Sequence, residues 1–288
     1  MILNLVDAQY HNIQYPNIKQ LKTKMNFVNL NGITIHYKYL QNSLLGDGGK
    51  NFLFINSLGT DFRIWDEVVE VLKDHGNILL FDKRGHGLTD VEISTHGLDD
   101  FADDAAALLK YLQIDKCIVI GLSVGGMIAQ ILASRMPHQI EKLILCDTRH
   151  KIGNAQMWND RIGQIKEHGL QFISDGVMQR WFSESFRETQ AVKVNGYRHM
   201  LERTPVLGYI QTCEAIRDAD LAAIANEIKI PTLCIVGSED KSTTPEEVKN
   251  LADLIEGSVY QVIQGSGHIP CVDNPKVLSA LILNFIKD

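Results

Sequence analysis

Six short apolar runs punctuate the chain: Phe52-Leu53-Phe54-Ile55, Ile78-Leu79-Leu80-Phe81, Cys117-Ile118-Val119-Ile120, Leu143-Ile144-Leu145-Cys146, Thr232-Leu233-Cys234-Ile235-Val236 and Val259-Tyr260-Gln261-Val262-Ile263. Each has the length of a strand, and the first four are apolar throughout, as expected where both faces of a sheet are covered. Between them lie stretches with helical spacing: Trp65, Val68, Val69 and Leu72, then residues 98–112, 127–136, 245–254 and 275–286. This alternation predicts the α/β class, with a mostly parallel sheet and helices on both faces. Ahead of it, Phe27-Val28-Asn29-Leu30 and Ile33-Thr34-Ile35-His36-Tyr37 flank Asn31-Gly32, a strong short-range hairpin signal. Residues 148–225 break the pattern. They keep a helical period, contain Trp158 and Trp181, and show no strand-like run, so they are expected to form a helical insertion between two strands. The chain thus divides into a core of residues 25–147 and 226–288, a helical cap of residues 148–225, and an extension of residues 1–24 with no clear period. A Gly-rich loop is expected at residues 46–49.

Composition narrows the function classes. With 288 residues and 45% hydrophobic content, the chain can bury a large core without disulfide or metal staples. A formal net charge of -7 leaves no basic stripe for nucleic acid. No apolar run approaches a membrane span, and the first twenty residues lack the basic and apolar regions of a secretory signal. The five cysteines (Cys117, Cys146, Cys213, Cys234, Cys271) form no C-x-x-C pair, and an odd, scattered set reads as reduced thiols in a cytoplasmic protein. Neither H-E-x-x-H nor clustered His/Cys ligands are present, so no metal is expected, and no Gly-rich phosphate loop follows the first strands. The expected partner is a small-molecule substrate.

The chemistry is concentrated where the Cys117–Ile120 run ends. Gly121-Leu122-Ser123-Val124-Gly125 places a serine between a strand and a helix, with glycine two residues to each side. That is the nucleophile-elbow pattern, in which the serine sits on a crowded turn and the new helix aims unpaired N–H groups toward it. A serine hydroxyl needs a base, and the base needs a third group to fix its tautomer. In this sheet topology the partners follow in the order Ser, Asp/Glu, His, each on a loop after a strand. Asp240 lies in Gly237-Ser238-Glu239-Asp240 and His268 in Gly265-Ser266-Gly267-His268. Of ten histidines, His268 alone follows Asp240. The expected catalytic set is therefore Ser123, Asp240 and His268, with Glu239 and Asp147 as rival acids. The oxyanion donors are expected from the backbone N–H groups of Val124, directly after the nucleophile, and Leu58, after the Phe52–Ile55 run. Asp82-Lys83-Arg84-Gly85-His86-Gly87 is expected to be a structural loop.

These residues resemble the α/β-hydrolase family over nearly all of residues 25–288, and within it the 3-oxoadipate enol-lactonases. The finer likeness is carried by Asn56-Ser57-Leu58-Gly59-Thr60-Asp61 with Trp65, by Lys151-Ile152-Gly153 with Met157-Trp158-Asn159, and by Gly208-Tyr209 with Ala215-Ile216-Arg217-Asp218. Arg84-Gly85-His86-Gly87, the elbow and Gly267-His268-Ile269 belong to the wider family. Asp147-Thr148-Arg149-His150 and Pro270-Cys271 depart from the pattern, the former replacing a more neutral run. The resemblance implies an α/β-hydrolase fold with a helical cap inserted before the last strands. It also implies hydrolysis of a small anionic enol-lactone to 3-oxoadipate, a late step of aromatic catabolism in the β-ketoadipate pathway, with no cofactor. Carboxylesterase, another lactonase and perhydrolase-like activity are the alternatives, and a non-catalytic receptor on the same shell is a third reading. A haloalkane dehalogenase is disfavoured, since that chemistry needs an aspartate in place of Ser123. An anionic lactone wants a buried cation. Trp158 is expected to wall the ring, and Arg149, Lys151, Arg161 or Arg203 to meet the carboxylate.

Overall fold

The computed structural model describes residues 26–44 and 49–287. The extension of residues 1–24, the proposed start of the core at Met25 and most of the Gly-rich loop lie outside the described residues. Eight strands form one sheet: β1 Asn26–Leu30, β2 Ile33–Leu40, β3 Lys50–Ile55, β4 Gly76–Phe81, β5 Cys117–Leu122, β6 Ile140–Cys146, β7 Thr232–Gly237 and β8 Val259–Ile263. Their spatial order is β1-β2-β4-β3-β5-β6-β7-β8. β1, β2 and β4 pair antiparallel, and every pairing from β4 to β8 is parallel. The β1–β2 hairpin turns at Asn31 and Gly32, both at positive φ (52° and 81°), the geometry that makes Asn-Gly a hairpin signal.

Every residue of β5, and Phe52 to Ile55 of β3, is buried. Successive side chains point to opposite faces, so unbroken burial means that helices cover both sides. The covering helices of the core are α1 Asp66–Leu72, α2 Leu98–Tyr111, α3 Val124–Arg135, α10 Pro245–Leu254, the short α11 Pro270–Asp273 and α12 Pro275–Lys287. α3 packs on β5 and β6, and α10 on β7 and β8. All five cysteines are buried and unpaired. No helix among the described residues is long and apolar enough to cross a membrane.

Between β6 and β7 the chain is helical throughout: α4 Ala155–His168, α5 Leu170–Trp181, α6 Glu184–Thr189, α7 Ala191–Glu202, α8 Val206–Asp218 and α9 Ala222–Glu227. The base of the insertion closes where the Leu221 N–H donates to His150 O at 2.9 Å. α9 packs against α3 and α10 of the core, and α8 against α2. α8 meets the loop after β4 backbone to backbone. A Cβ built on Gly208 would lie 2.3 Å from Gly85 O, and one built on Gly85 would lie 2.5 Å from the Gly208 Cα.

Candidate active site

Ser123 joins β5 to α3 with φ 58° and ψ -120°, a left-handed conformation that a non-glycine residue adopts only under constraint. Four hydrogen bonds hold it there. Its N–H donates to Cys146 O at 3.0 Å, and its carbonyl accepts from the N–H groups of Gly126 and Met127 (2.8 and 3.2 Å) and from Thr148 Oγ1 (2.6 Å). The small flanking residues are a steric requirement. A Cβ on Gly121 would sit 2.3 Å from Gly125 O, and a Cβ on Gly125 would sit 2.2 Å from Ile55 O.

Asp240 and His268 follow β7 and β8, whose parallel register carries both loops to the same end of the sheet. His268 Nδ1 lies 2.8 Å from Asp240 Oδ2, and both side chains are buried. Asp240 also accepts from Ser242 N (2.7 Å), Thr243 N (3.1 Å) and Thr243 Oγ1 (2.7 Å). Burial alone would raise its pKa, but the His268 charge and these hydrogen bonds outweigh burial and hold the carboxyl below its ordinary value. Of the rival acids, Glu239 is exposed. Asp147 is fully buried and spends Oδ1 on the Gly237 N–H at 2.9 Å. The His268 backbone is bolted to the insertion, because the N–H groups of His268 and Ile269 both donate to Trp181 O (2.9 and 3.3 Å).

Ser123 and His268 line a common cavity of about 50 Å³ with Leu58, Trp158, Arg161, Arg180 and Tyr209 among its walls. The loop carrying Leu58 is pinned from below. The Gly59 N–H donates to His86 Nε2 (3.0 Å), while Ser57 O accepts from Lys83 Nζ (2.6 Å) and Thr60 Oγ1 (2.9 Å). The segment Asp82 to Gly87 thus braces this loop. Leu58 itself faces the cavity, and Val124 is the first residue of α3, where N–H groups lack helical acceptors.

The cations are distributed differently from the sequence expectation. Arg149 pairs with Glu247, and Lys151 Nζ pairs with Asp220 at 3.1 Å at a site where both side chains are about half exposed. Neither lines the cavity, because each has an acidic partner that turns it away from Ser123. Arg203 is exposed and borders an outer groove beside Lys193 and Tyr197. Arg161 does reach the cavity, with its guanidinium 5.6 Å from the Trp158 ring and 5.9 Å from the Tyr209 ring. Trp158 is fixed by its Nε1–H bond to Ile152 O at 2.7 Å. Arg180 is a second cavity cation that sequence reasoning missed: nothing in the spacing of α5 separates it from a solvated helix charge. Burial and the adjacent Arg161 charge lower its pKa. Among the described residues, no carboxylate lies within ion-pair distance of either guanidinium.

Asp147, Asp240 and His268 are the one group among the described residues with the composition of a metal site, their ligand atoms lying within 4.8 Å of one another. His268 Nδ1 is already engaged by Asp240, so the group is arranged as a hydrogen-bonded chain rather than as an open ligand shell.

The chain is similar to known proteins. A model of the alpha/beta hydrolase fold matches residues 50–275. A 3-oxoadipate enol-lactonase of Acinetobacter baylyi is 33% identical over 82% of this chain and 88% of its own length, and a second from the same organism is 30% identical over the same shares. The crystal structure of the enol-lactonase from Burkholderia xenovorans superposes with a TM-score of 0.88 at 30% identity, covering 91% of this chain and all of that one. A strained serine after the fifth strand, an Asp–His pair after the last two and a match across most of the chain place this protein in the α/β-hydrolase family.

Proposed function

We propose that the protein is a serine hydrolase that opens a small anionic enol-lactone, 3-oxoadipate enol-lactone being the substrate its relatives favour. The observation that carries this reading is the pair of guanidiniums, Arg161 and Arg180, facing the Ser123–His268 cavity without acidic partners. Two partly buried guanidiniums beside one another repel, and an anionic ligand is what offsets that repulsion. The opened product, a dicarboxylate, carries one more negative charge than the lactone, so two cations match it better than one.

The chemistry follows from the geometry. With Nδ1 bonded to Asp240, His268 Nε2 is the nitrogen left to take the Ser123 proton as Oγ attacks the lactone carbonyl. The oxyanion is met by the N–H groups of Leu58 and Val124. Collapse breaks the ring C–O bond, and the proton on His268 passes to the enol oxygen, which then relaxes to the ketone. A water deprotonated by His268 attacks the acyl-enzyme and releases the new carboxylate, returning the proton to Ser123 Oγ. The Trp158 and Tyr209 rings wall the lactone, and no cofactor enters.

The test is hydrolysis of the enol-lactone beside a neutral aryl ester of similar size. Ser123→Ala should lower kcat for both by several orders of magnitude in a folded protein. Arg161→Gln and Arg180→Gln should each raise KM for the lactone by roughly tenfold or more, with a much smaller effect on the ester. Equal effects on both substrates would overturn the carboxylate reading and favour a general carboxylesterase. Undiminished turnover by Ser123→Ala would overturn the hydrolase assignment itself.

A further inference from the structure

Asp147 is placed where an ionised carboxylate is hard to accommodate. It follows β6 at a positive φ of 46°, fully buried, with its N–H donated to Ile235 O at 2.8 Å. Oδ1 accepts the Gly237 N–H, but the buried Oδ2 accepts nothing. The groups around it are Asp240 and His268 from the loops after β7 and β8, Asp273 and Cys271 from α11, Tyr260 from β8, and Cys146 from β6. Among them only His268 can carry positive charge, and its Nδ1 is already given to Asp240. Two carboxylates this close, with a single imidazole that is bonded to Asp240, cannot both ionise without a large repulsion.

We propose that Asp147 is a neutral carboxylic acid that donates a hydrogen bond to Asp240, and so acts as a positioning residue for the Asp240–His268 pair. A buried carboxyl oxygen that accepts no protein hydrogen bond is free to carry the proton. Burial and the Asp240 charge both push the Asp147 carboxyl well above its ordinary range, in the same direction. Asp240 is then left as the single fixed negative charge of the site. The next residue, Thr148, donates to the Ser123 carbonyl. One two-residue step after β6 therefore touches both the nucleophile turn and the acid. The positioning role rests on reading Ser123, Asp240 and His268 as a catalytic triad. The protonation state does not, and it is measured without substrate.

Three measurements decide it. At neutral pH the infrared difference spectrum of wild type against Asp147→Asn should contain the carbonyl stretch of a protonated carboxylic acid. A group whose folded pKa is raised contributes stability that is complete below its unfolded pKa and is lost as pH rises toward the folded pKa. The melting temperature of Asp147→Asn relative to wild type should therefore climb as pH rises from about 4. Asp147→Leu, which offers no donor, should lose roughly tenfold or more in kcat/KM, with Asp147→Asn recovering most of it. No acid carbonyl band, together with a melting difference flat above about pH 5, would overturn the proposal by showing Asp147 ionised. Equal kcat/KM losses in the Leu and Asn variants would overturn the donor role. If Asp147→Leu does not fold, the infrared and melting data on Asp147→Asn still decide the protonation state.

Discussion

Ser123 and its support are set by local sterics. The serine is strained, and it is held by tight packing at Gly121 and Gly125, by its N–H bond to Cys146 O of β6 and by the bond it accepts from Thr148. Lys83 is a less visible device. It is 1% exposed, donates to Ser57 O beneath the Leu58 loop, and has a pKa pushed down to about 7 by burial, against the opposing pull of Asp82 and Asp61. Its folded pKa lies below the unfolded value of 10.5, so the unfolded chain binds the extra proton between those limits and the Lys83 contribution to stability should rise with pH across that window. Lys83→Met abolishes the titration. Its melting temperature relative to wild type should be highest below about pH 7 and decline as pH climbs toward 10.5. A difference that stays flat over this range would show that Lys83 is not desolvated as described. The sequence motif Asp82-x-Arg84-Gly85-His86-Gly87 marked a structural loop, but not which atoms it braces, since Ser57 and Gly59 are reached only through the fold.

Elements were largely legible from period and punctuation. α10 Pro245–Leu254 begins where Thr244 caps it and Pro245 opens it, and its reciprocal bonds with Glu247 form a capping box. The helix expected over 98–112 is α2 Leu98–Tyr111. Near Trp65 the single expected helix is a 3-10 turn, Phe62–Trp65, followed by α1. The shape of the insertion was less legible, because a 3.6-residue period identifies a helix without saying what its other face meets. Its seating is governed by the close approach of Gly208 to Gly85. Gly208→Ala should cost about 1–3 kcal/mol, since the added methyl meets backbone that cannot swing aside. Gly163→Ala, in α4 with open space around the new methyl, should instead stabilise by about 0.5–1 kcal/mol. Urea denaturation of both variants checks this. Equal effects would mean that the α8 contact is not constrained as described.

At the scale of the whole molecule, the site is a narrow space between core and insertion. At about 50 Å³ the cavity is small, so entry of a substrate is expected to move α4 and α5 relative to the sheet. The clamp from Trp181 O to the His268 and Ile269 N–H groups makes α5 the element through which that movement reaches the base. A six-carbon dicarboxylate, standing in for the proposed product, should therefore slow amide hydrogen exchange in α4, α5 and the 265–269 loop while leaving β1 and β2 unchanged. Uniform protection, or none at saturating ligand, would refute a mobile insertion over a fixed core. The sequence by itself determined the sheet order of chemistry: strand-like runs, an elbow serine, and an acid and a histidine in an order that admits one histidine. Those signals are local, since apolar runs, glycine spacing and chain order survive in one dimension. The tertiary structure alone decided which charges face the cavity. Arg149 and Lys151 are near Ser123 in the chain's logic but are captured by Glu247 and Asp220, whereas Arg180, unremarkable in sequence, is turned inward beside Arg161. The physical reason is that a long charged side chain goes to whichever partner or cavity the packing of distant helices brings within reach, and that proximity is not written in the spacing of residues along the chain.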